Sequence, residues 1–312
     1  MDNKLTTPQS QSSLGLFGII KESFKTTCSN GKLLVPILLL VFLSYSQLDF
    51  AQDYMLTPLT NYLMLQLDKY PNMLYDIAQN NTSPAIYIGV FRTIREILLV
   101  KLFIIAISSI VTLVFLVATV SSSYEAYTAK VLGPKDMFLK IRNNWTRPLA
   151  TSFYLILLIL GITIVYAISV VITTFLTIDS PTPFYVGVIM FSVPVCYIYV
   201  ATICMVSLIV SVLEEGCSGL KAVVRAAELM KGKRLEASMT MVLFTLAYGF
   251  VFMAHYNNHL SSDLALRLPF TNGCYCLLTL FMFVVYTVFY HDRKTSHDQK
   301  EGKGLYVPVV NV

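Results

Sequence analysis

Charge is the scarcest commodity in this chain. Asp, Glu, Lys and Arg make up 13% of its 312 residues, about half of the ~25% usual in a soluble globular domain. What charge there is clusters between long apolar runs, and hydrophobic residues reach 55%, with a mean hydropathy of +0.65. A soluble fold is excluded by that shortage. The central parts of the apolar runs contain no ionisable residue. Intramembrane charges usually mark ion and proton paths because each costs about 2.5–3.5 kcal/mol to insert, so proton-coupled transport loses its usual signature.

Catalytic signatures are also missing. There is no Gly-x-Ser-x-Gly, no glycine-rich phosphate loop and no His-Glu-x-x-His, and no nucleophile–base set can be named, so the sequence predicts no enzyme. Of four histidines, His255 and His259 have i, i+4 spacing and Asp263 lies four further on. That spacing fixes no complete ligand set, and a pair of loop histidines is the simpler reading. No catalytic, cofactor-binding or metal-binding residue is assigned. The six cysteines form no disulfide framework: Cys196 and Cys204 lie inside an apolar run, Cys274 and Cys276 face different sides of a helix, and Cys28 and Cys217 flank runs on the basic side. The basic residues stand beside spans without interleaved stacking aromatics, which points to topology and anionic lipid and not to nucleic acid.

What is present is an all-α, polytopic membrane pattern. Met1 to Ser13 is polar and predicts a disordered tail, and no removable signal peptide is evident. A membrane domain over residues 14–292 follows, with spans at about 33–50, 97–121, 149–178, 184–213, 237–256 and 274–290, and a C-terminal tail over 293–312. The spans pair into three hairpins, each preceded by an amphipathic surface helix. In the first such helix Leu16, Phe17, Ile20 and Phe24 form an apolar stripe opposite Lys21, Glu22 and Lys25. The second lies between Tyr124 and Arg147, and brings the only tryptophan, Trp145, to a membrane–water boundary. The third, within Glu214–Glu236, places Leu220, Val223, Val224, Ala227 and Met230 on one face and Lys221, Arg225 and Glu228 on another. Lys231, Lys233 and Arg234 follow it. The residues Asp49–Glu96 read as the longest connection between spans, with short amphipathic stretches.

The N-terminal segment holds four Lys or Arg, the two basic connections five each and the C-terminal tail four, which is 18 of the 23. By the rule that positive residues stay inside, both termini are expected in the cytosol. The sequons at Asn80 and Asn81 then fall outside, as glycosylation candidates.

From Tyr124 onward the chain resembles a large plant family of uncharacterised multi-pass membrane proteins. The likeness rests on Tyr127-Thr128-Ala129-Lys130, on Trp145-Thr146-Arg147 running to Thr151, and on Glu214 followed by Gly219-Leu220-Lys221-Ala222. It also rests on Glu228-Leu229-Met230-Lys231-Gly232-Lys233-Arg234 and on Tyr306-Val307-Pro308. Pro148, and Ala226-Ala227 where that family often has Lys-Ser, depart from the pattern. The Leu-x-Lys-Gly element is also similar to bacterial membrane domains found alone or fused to glycerophosphodiester phosphodiesterases. The resemblance implies a fold and a topology, and carries no activity. The expected location is the endoplasmic reticulum or the plasma membrane. Two functional expectations follow. The first is a non-enzymatic scaffold binding partners and anionic lipid at the cytosolic face. The alternative is a transporter or channel for a neutral or amphiphilic solute.

Overall fold

A computed structural model describes residues 15–69, 84–127, 145–177, 183–257 and 264–304, with positions 139 and 142. Among these residues every regular element is helical. The order is α1 (Leu16–Ser29), α2 (Gly31–Lys69), α3 (Pro84–Tyr127), α4 (Thr146–Thr177), α5 (Pro183–Leu213), α6 (Leu220–Leu229), α7 (Arg234–Asn257) and α8 (Leu264–Gly304). Six of the eight, α2, α3, α4, α5, α7 and α8, are long and apolar enough to cross a membrane. Backbone groups cannot be left unpaired in hydrocarbon, so apolar runs of this length become helices. The protein is therefore an all-α, multi-pass integral membrane protein. The tail before Leu14, the second surface helix apart from isolated positions, Asn80, Asn81, and the 305–312 end lie outside the described residues.

The helices pair as antiparallel hairpins, α2 with α3, α4 with α5 and α7 with α8. The last helix is the hub: α8 touches α1, α2, α3, α5, α6 and α7, whereas α4 is held by α5, by α6 and lightly by α3. Burial follows that arrangement and is uneven along the membrane normal. The fully buried side chains gather where the helices end on the basic side. These are Leu34 and Val41 of α2, Phe115 to Val120 of α3, Val206, Ile209, Val210 and Val212 of α5, Ala237 of α7, and Phe283 to Tyr290 of α8. Phe115 meets Phe283 edge to face at 5.5 Å. Away from that side, residues such as Leu102, Phe103, Ile164, Phe250 and Phe252 are exposed, as side chains facing lipid should be.

Two stretches differ from the expectation drawn from sequence. Within Asp49–Glu96 the described residues form long helices and not short ones. The first spanning helix continues unbroken through Pro58 to Lys69, and the second begins at Pro84. At 1.5 Å per residue, the 39 residues of α2 and 44 of α3 are about 58 and 66 Å long, roughly twice a hydrocarbon core. The pair therefore projects beyond the membrane on the side opposite the basic residues. Polar residues interrupt the hydropathy there, but pairing of the helices through buried Leu56, Val90 and Thr93 sustains both. The expected tail from position 293 is likewise still helix, since α8 runs to Gly304. Pro194 leaves α5 continuous.

The concentration of the core at the basic ends predicts an uneven response to truncation. Phe115→Ala, at a fully buried site, should cost about 3–5 kcal/mol, whereas Phe103→Ala, on the lipid-facing side of the same helix, should change stability by less than about 0.5 kcal/mol. Reversible unfolding of the detergent-solubilised protein measures both; equal losses would contradict the uneven core.

Candidate functional site

The chain turns back at its basic boundary through Glu214 to Lys233, and the side chains that hold this turn come from four helices. Glu214 follows the last residue of α5, and its side chain is only 14% exposed. A carboxylate so nearly removed from water needs partners. Tyr290 of α8, itself fully buried, donates its hydroxyl to Glu214 Oε1 at 2.8 Å, and Arg225 of α6 sets its Nε 3.5 Å from Oε2. Arg225 also reaches Glu228 at 3.3 Å. Burial works against the guanidinium charge, but the two carboxylates outweigh it, so the Arg225 pKa is raised. Cys217 completes the cluster, its thiol 3.6 Å from Glu214 Oε2. Burial pushes that thiol up and the Glu214 charge pushes the same way, against weaker help from Arg225 and Lys221.

Both ends of α6 are fastened. At its start, Gly219 has φ +60° and ψ −132°, a conformation open to glycine and strained for any residue with a Cβ. A Cβ there would also strike the Tyr154 ring at 2.9 Å. The Gly219 N–H donates to Thr151 Oγ1 of α4 at 2.9 Å, while Thr151 donates in turn to the Arg147 carbonyl at 3.0 Å. At its end, Arg293 of α8 donates Nε to the Leu229 carbonyl and Nη2 to the Lys231 carbonyl, both at 3.0 Å. The Leu229 carbonyl is one of the acceptors a helix C-terminus leaves open, and the Lys231 carbonyl lies in the turn just beyond it. Gly232, at φ +91°, then turns the chain toward α7, where Tyr286 of α8 donates to the Ala237 carbonyl at 3.1 Å.

At about 100° per residue, α6 divides into three sectors. Gly219, Ala222, Ala226, Leu229 and Met230 are buried against the bundle. Leu220 and Val224 are 63% and 56% exposed, with half-buried Val223 and Ala227 between this sector and the docked one. Lys221 and Glu228 are exposed on the third sector, beside Arg225. The first helix repeats the plan. Ile19, Ser23 and Thr26 are buried, Phe17 and Phe24 are 84% and 63% exposed, and Lys21 and Lys25 occupy the remaining side. Asn30, in the turn between α1 and α2, donates to the Ser122 carbonyl at 3.0 Å and ties this helix to α3.

The structure thus gathers Glu214, Gly219, Ala222, Gly232, Arg147 and the chain around Lys231 into one assembly, with Leu220 on its outer edge. Trp145 is half exposed in the turn before α4. Tyr127 ends α3, and its side chain lies outside the described set, as do those of His255, His259 and Asp263. Two readings change. Met230 is buried with the small residues and does not belong to the outward apolar stripe. Lys233 is only 11% exposed and pairs with Glu236 at 2.9 Å, so the outward cations are Lys221, Lys231 and Arg234. Sequence reasoning missed Tyr290, Arg293 and Tyr154. The spacing of Gly219, Ala222 and Ala226 was the available signal for the docked face, because small residues let helices approach closely.

The chain belongs to the family described as "Domain of unknown function (DUF8558)", whose model matches residues 1–306. No curated protein and no solved structure matches it significantly.

The thiol beside Glu214 supplies a test of the cluster. A raised pKa means less thiolate at any given pH, so alkylation of Cys217 should be slow near neutrality and accelerate at higher pH than an ordinary thiol. Glu214→Gln keeps an oxygen for Tyr290 and removes the charge; the Cys217 rate–pH profile should then shift to lower pH, with severalfold faster reaction at pH 7.5. Site-resolved mass spectrometry after timed alkylation reads this, and an unchanged profile would place the two groups apart.

Proposed function

We propose that this membrane protein acts without catalysis, as a scaffold whose basic side binds anionic lipid and presents α1 and α6 to protein partners. In this reading both termini are cytosolic, and the long α2–α3 hairpin stands on the opposite face of an endoplasmic reticulum or plasma membrane. One observation carries it: α1 and α6 share the three-sector plan. A helix that only linked two spans would need a docked face and a solvated face. These two add a third, apolar and exposed, flanked by lysines. An apolar stripe bordered by cations is what an interfacial helix inserts among headgroups. Lys221, Lys231, Arg234, Lys21 and Lys25 would then meet lipid phosphates.

The packing also bears on the rival expectation of a solute conduit. Phe115, Leu116, Val206, Ile209, Tyr286, Phe289 and Tyr290 fill the basic half of the bundle with fully buried side chains. A path through the membrane would have to part them. The scaffold reading needs no such movement.

Each basic residue near an anionic surface contributes about 1 kcal/mol before salt screening. The combination Lys221→Gln, Lys231→Gln and Arg234→Gln should therefore weaken retention of anionic lipid by roughly tenfold at physiological salt. Purified protein reconstituted in phosphatidylcholine nanodiscs with and without phosphatidylserine tests this through the rise in Tm that the anionic lipid confers. The rise should shrink in the triple variant. The same rise in variant and wild type would refute the lipid role of α6.

A further inference from the structure

Above the packed basic half, a cavity of about 330 Å³ lies between α3, α5, α7 and α8. Leu116, Phe244, Met282 and Phe283 are its buried members; Met205, Leu208 and Met241 are half-buried along it, and Thr245 is exposed at its margin. Its depth can be read from the helices. Thr112 stands 13 residues before Glu125, Tyr248 14 after Arg234, and Thr279 14 before Arg293. At 1.5 Å per residue all three lie about 20 Å from the basic boundary, well inside a hydrocarbon core of about 30 Å. Tyr45, 13 residues after Lys32, is at the same level. The cavity thus has an apolar body toward the basic side and a tier of hydroxyls toward the other.

The hydrogen atoms of that tier can be assigned. A hydroxyl has one proton to give and two lone pairs. Thr279 Oγ1 is 2.8 Å from the Tyr275 carbonyl, and while it gives its proton there Tyr248 is the donor across the 2.7 Å contact. Thr112 Oγ1 gives its proton to the Ser108 carbonyl, so Tyr45 is the donor to Thr112. Thr245 gives its own to the Met241 carbonyl at 2.8 Å. With these bonds kept, the hydroxyls lining the cavity, Thr112, Thr245, Tyr248 and Thr279, present lone pairs to a ligand. A polar group that brings its own proton fits without breaking any of them. An ester, ether or carboxylate would have to turn one of these protons away from the oxygen it serves, and an ammonium would enter a lining that has no opposite charge.

We infer that the cavity binds a neutral lipid alcohol, its hydroxyl donating to the Tyr248–Thr279 tier and its aliphatic body lying against Met205, Leu208, Met241 and Met282. The flexible, polarizable methionines suit an aliphatic chain of variable shape. A mostly apolar cavity of this size with a few convergent polar groups is the usual form of a small-molecule site. The site is separate from the basic-side assembly and does not depend on it.

The test uses the full chain in phosphatidylcholine nanodiscs and a long-chain alcohol carrying a mid-chain diazirine, beside its methyl ether. Photolabelling by the alcohol should concentrate on peptides containing Met241–Tyr248 and Thr279–Phe283, with the ether about tenfold weaker there. Competition by an unlabelled sterol and by a diacylglycerol, in separate arms, identifies which alcohol is preferred. Tyr248→Phe, which keeps the ring, should lower labelling by the alcohol severalfold and leave the ether unchanged. Equal labelling by alcohol and ether in the unmodified protein would overturn the inference. So would labelling spread evenly over lipid-facing positions such as Phe103 and Phe153.

Discussion

The carboxylate of Glu214 sits where a spanning helix ends and the chain must reverse, and it is nearly withdrawn from water. An unpaired charge there would cost several kcal/mol. Tyr290 and Arg225 remove that cost, and in doing so they join α5, α6 and α8 at one point. The remaining contacts of the turn depend on that junction. With α6 held beside α8, Arg293 reaches the carbonyls at the end of α6. At its other end, Gly219 lies against Tyr154 closely enough that no side chain fits. Because α8 is also the helix that most others touch, the boundary assembly and the membrane core are one packed body.

The three-sector division of α6 and α1 follows from that docking. A surface helix free of the bundle needs two faces, one for lipid and one for water. Docking withdraws a third of the circumference, and small or short polar residues occupy it: Gly219, Ala222 and Ala226 in α6, Ser23 and Thr26 in α1. Ser23 and Thr26 give their hydroxyl protons to carbonyls one turn back, Ile19 and Glu22, so that face carries little polar cost into the protein. The larger apolar residues are then left outward, beside the lysines.

Much of this architecture could be read from the sequence, for a physical reason. Spanning helices must be continuous apolar runs, and charges are forced to their ends, so six spans and the biased distribution of basic residues are visible without coordinates. The α2–α3 projection was not legible because polar residues such as Asp53, Gln66, Arg92 and Glu96 break the hydropathy, while helix pairing across distant sequence keeps it ordered. The docked face of α6 was hidden for a related reason. Hydrophobicity ranks Leu220 and Val224 above Ala222 and Ala226, yet contact with a neighbouring helix favours the smaller residues. Glu214, Gly219 and Gly232 were recognisable as a motif, but their partners Tyr290, Arg293 and Thr151 lie some 60 to 80 positions away. No local spacing encodes those pairings. The hydroxyl tier is further removed from pattern reading, since its chemistry depends on which carbonyl each threonine already serves.

The central claim is that α6 is fixed to the protein along its small-residue face and rests on the bilayer along Leu220 and Val224. Spin labels at Val224, Lys221 and Ala227, read in nanodiscs against oxygen and a water-soluble nickel chelate, test it most directly. The account predicts high oxygen and low nickel accessibility at Val224, an intermediate balance at Ala227 and the reverse balance at Lys221. Equal nickel accessibility at Val224 and Lys221 would mean that this helix stands in water, and would contradict the account.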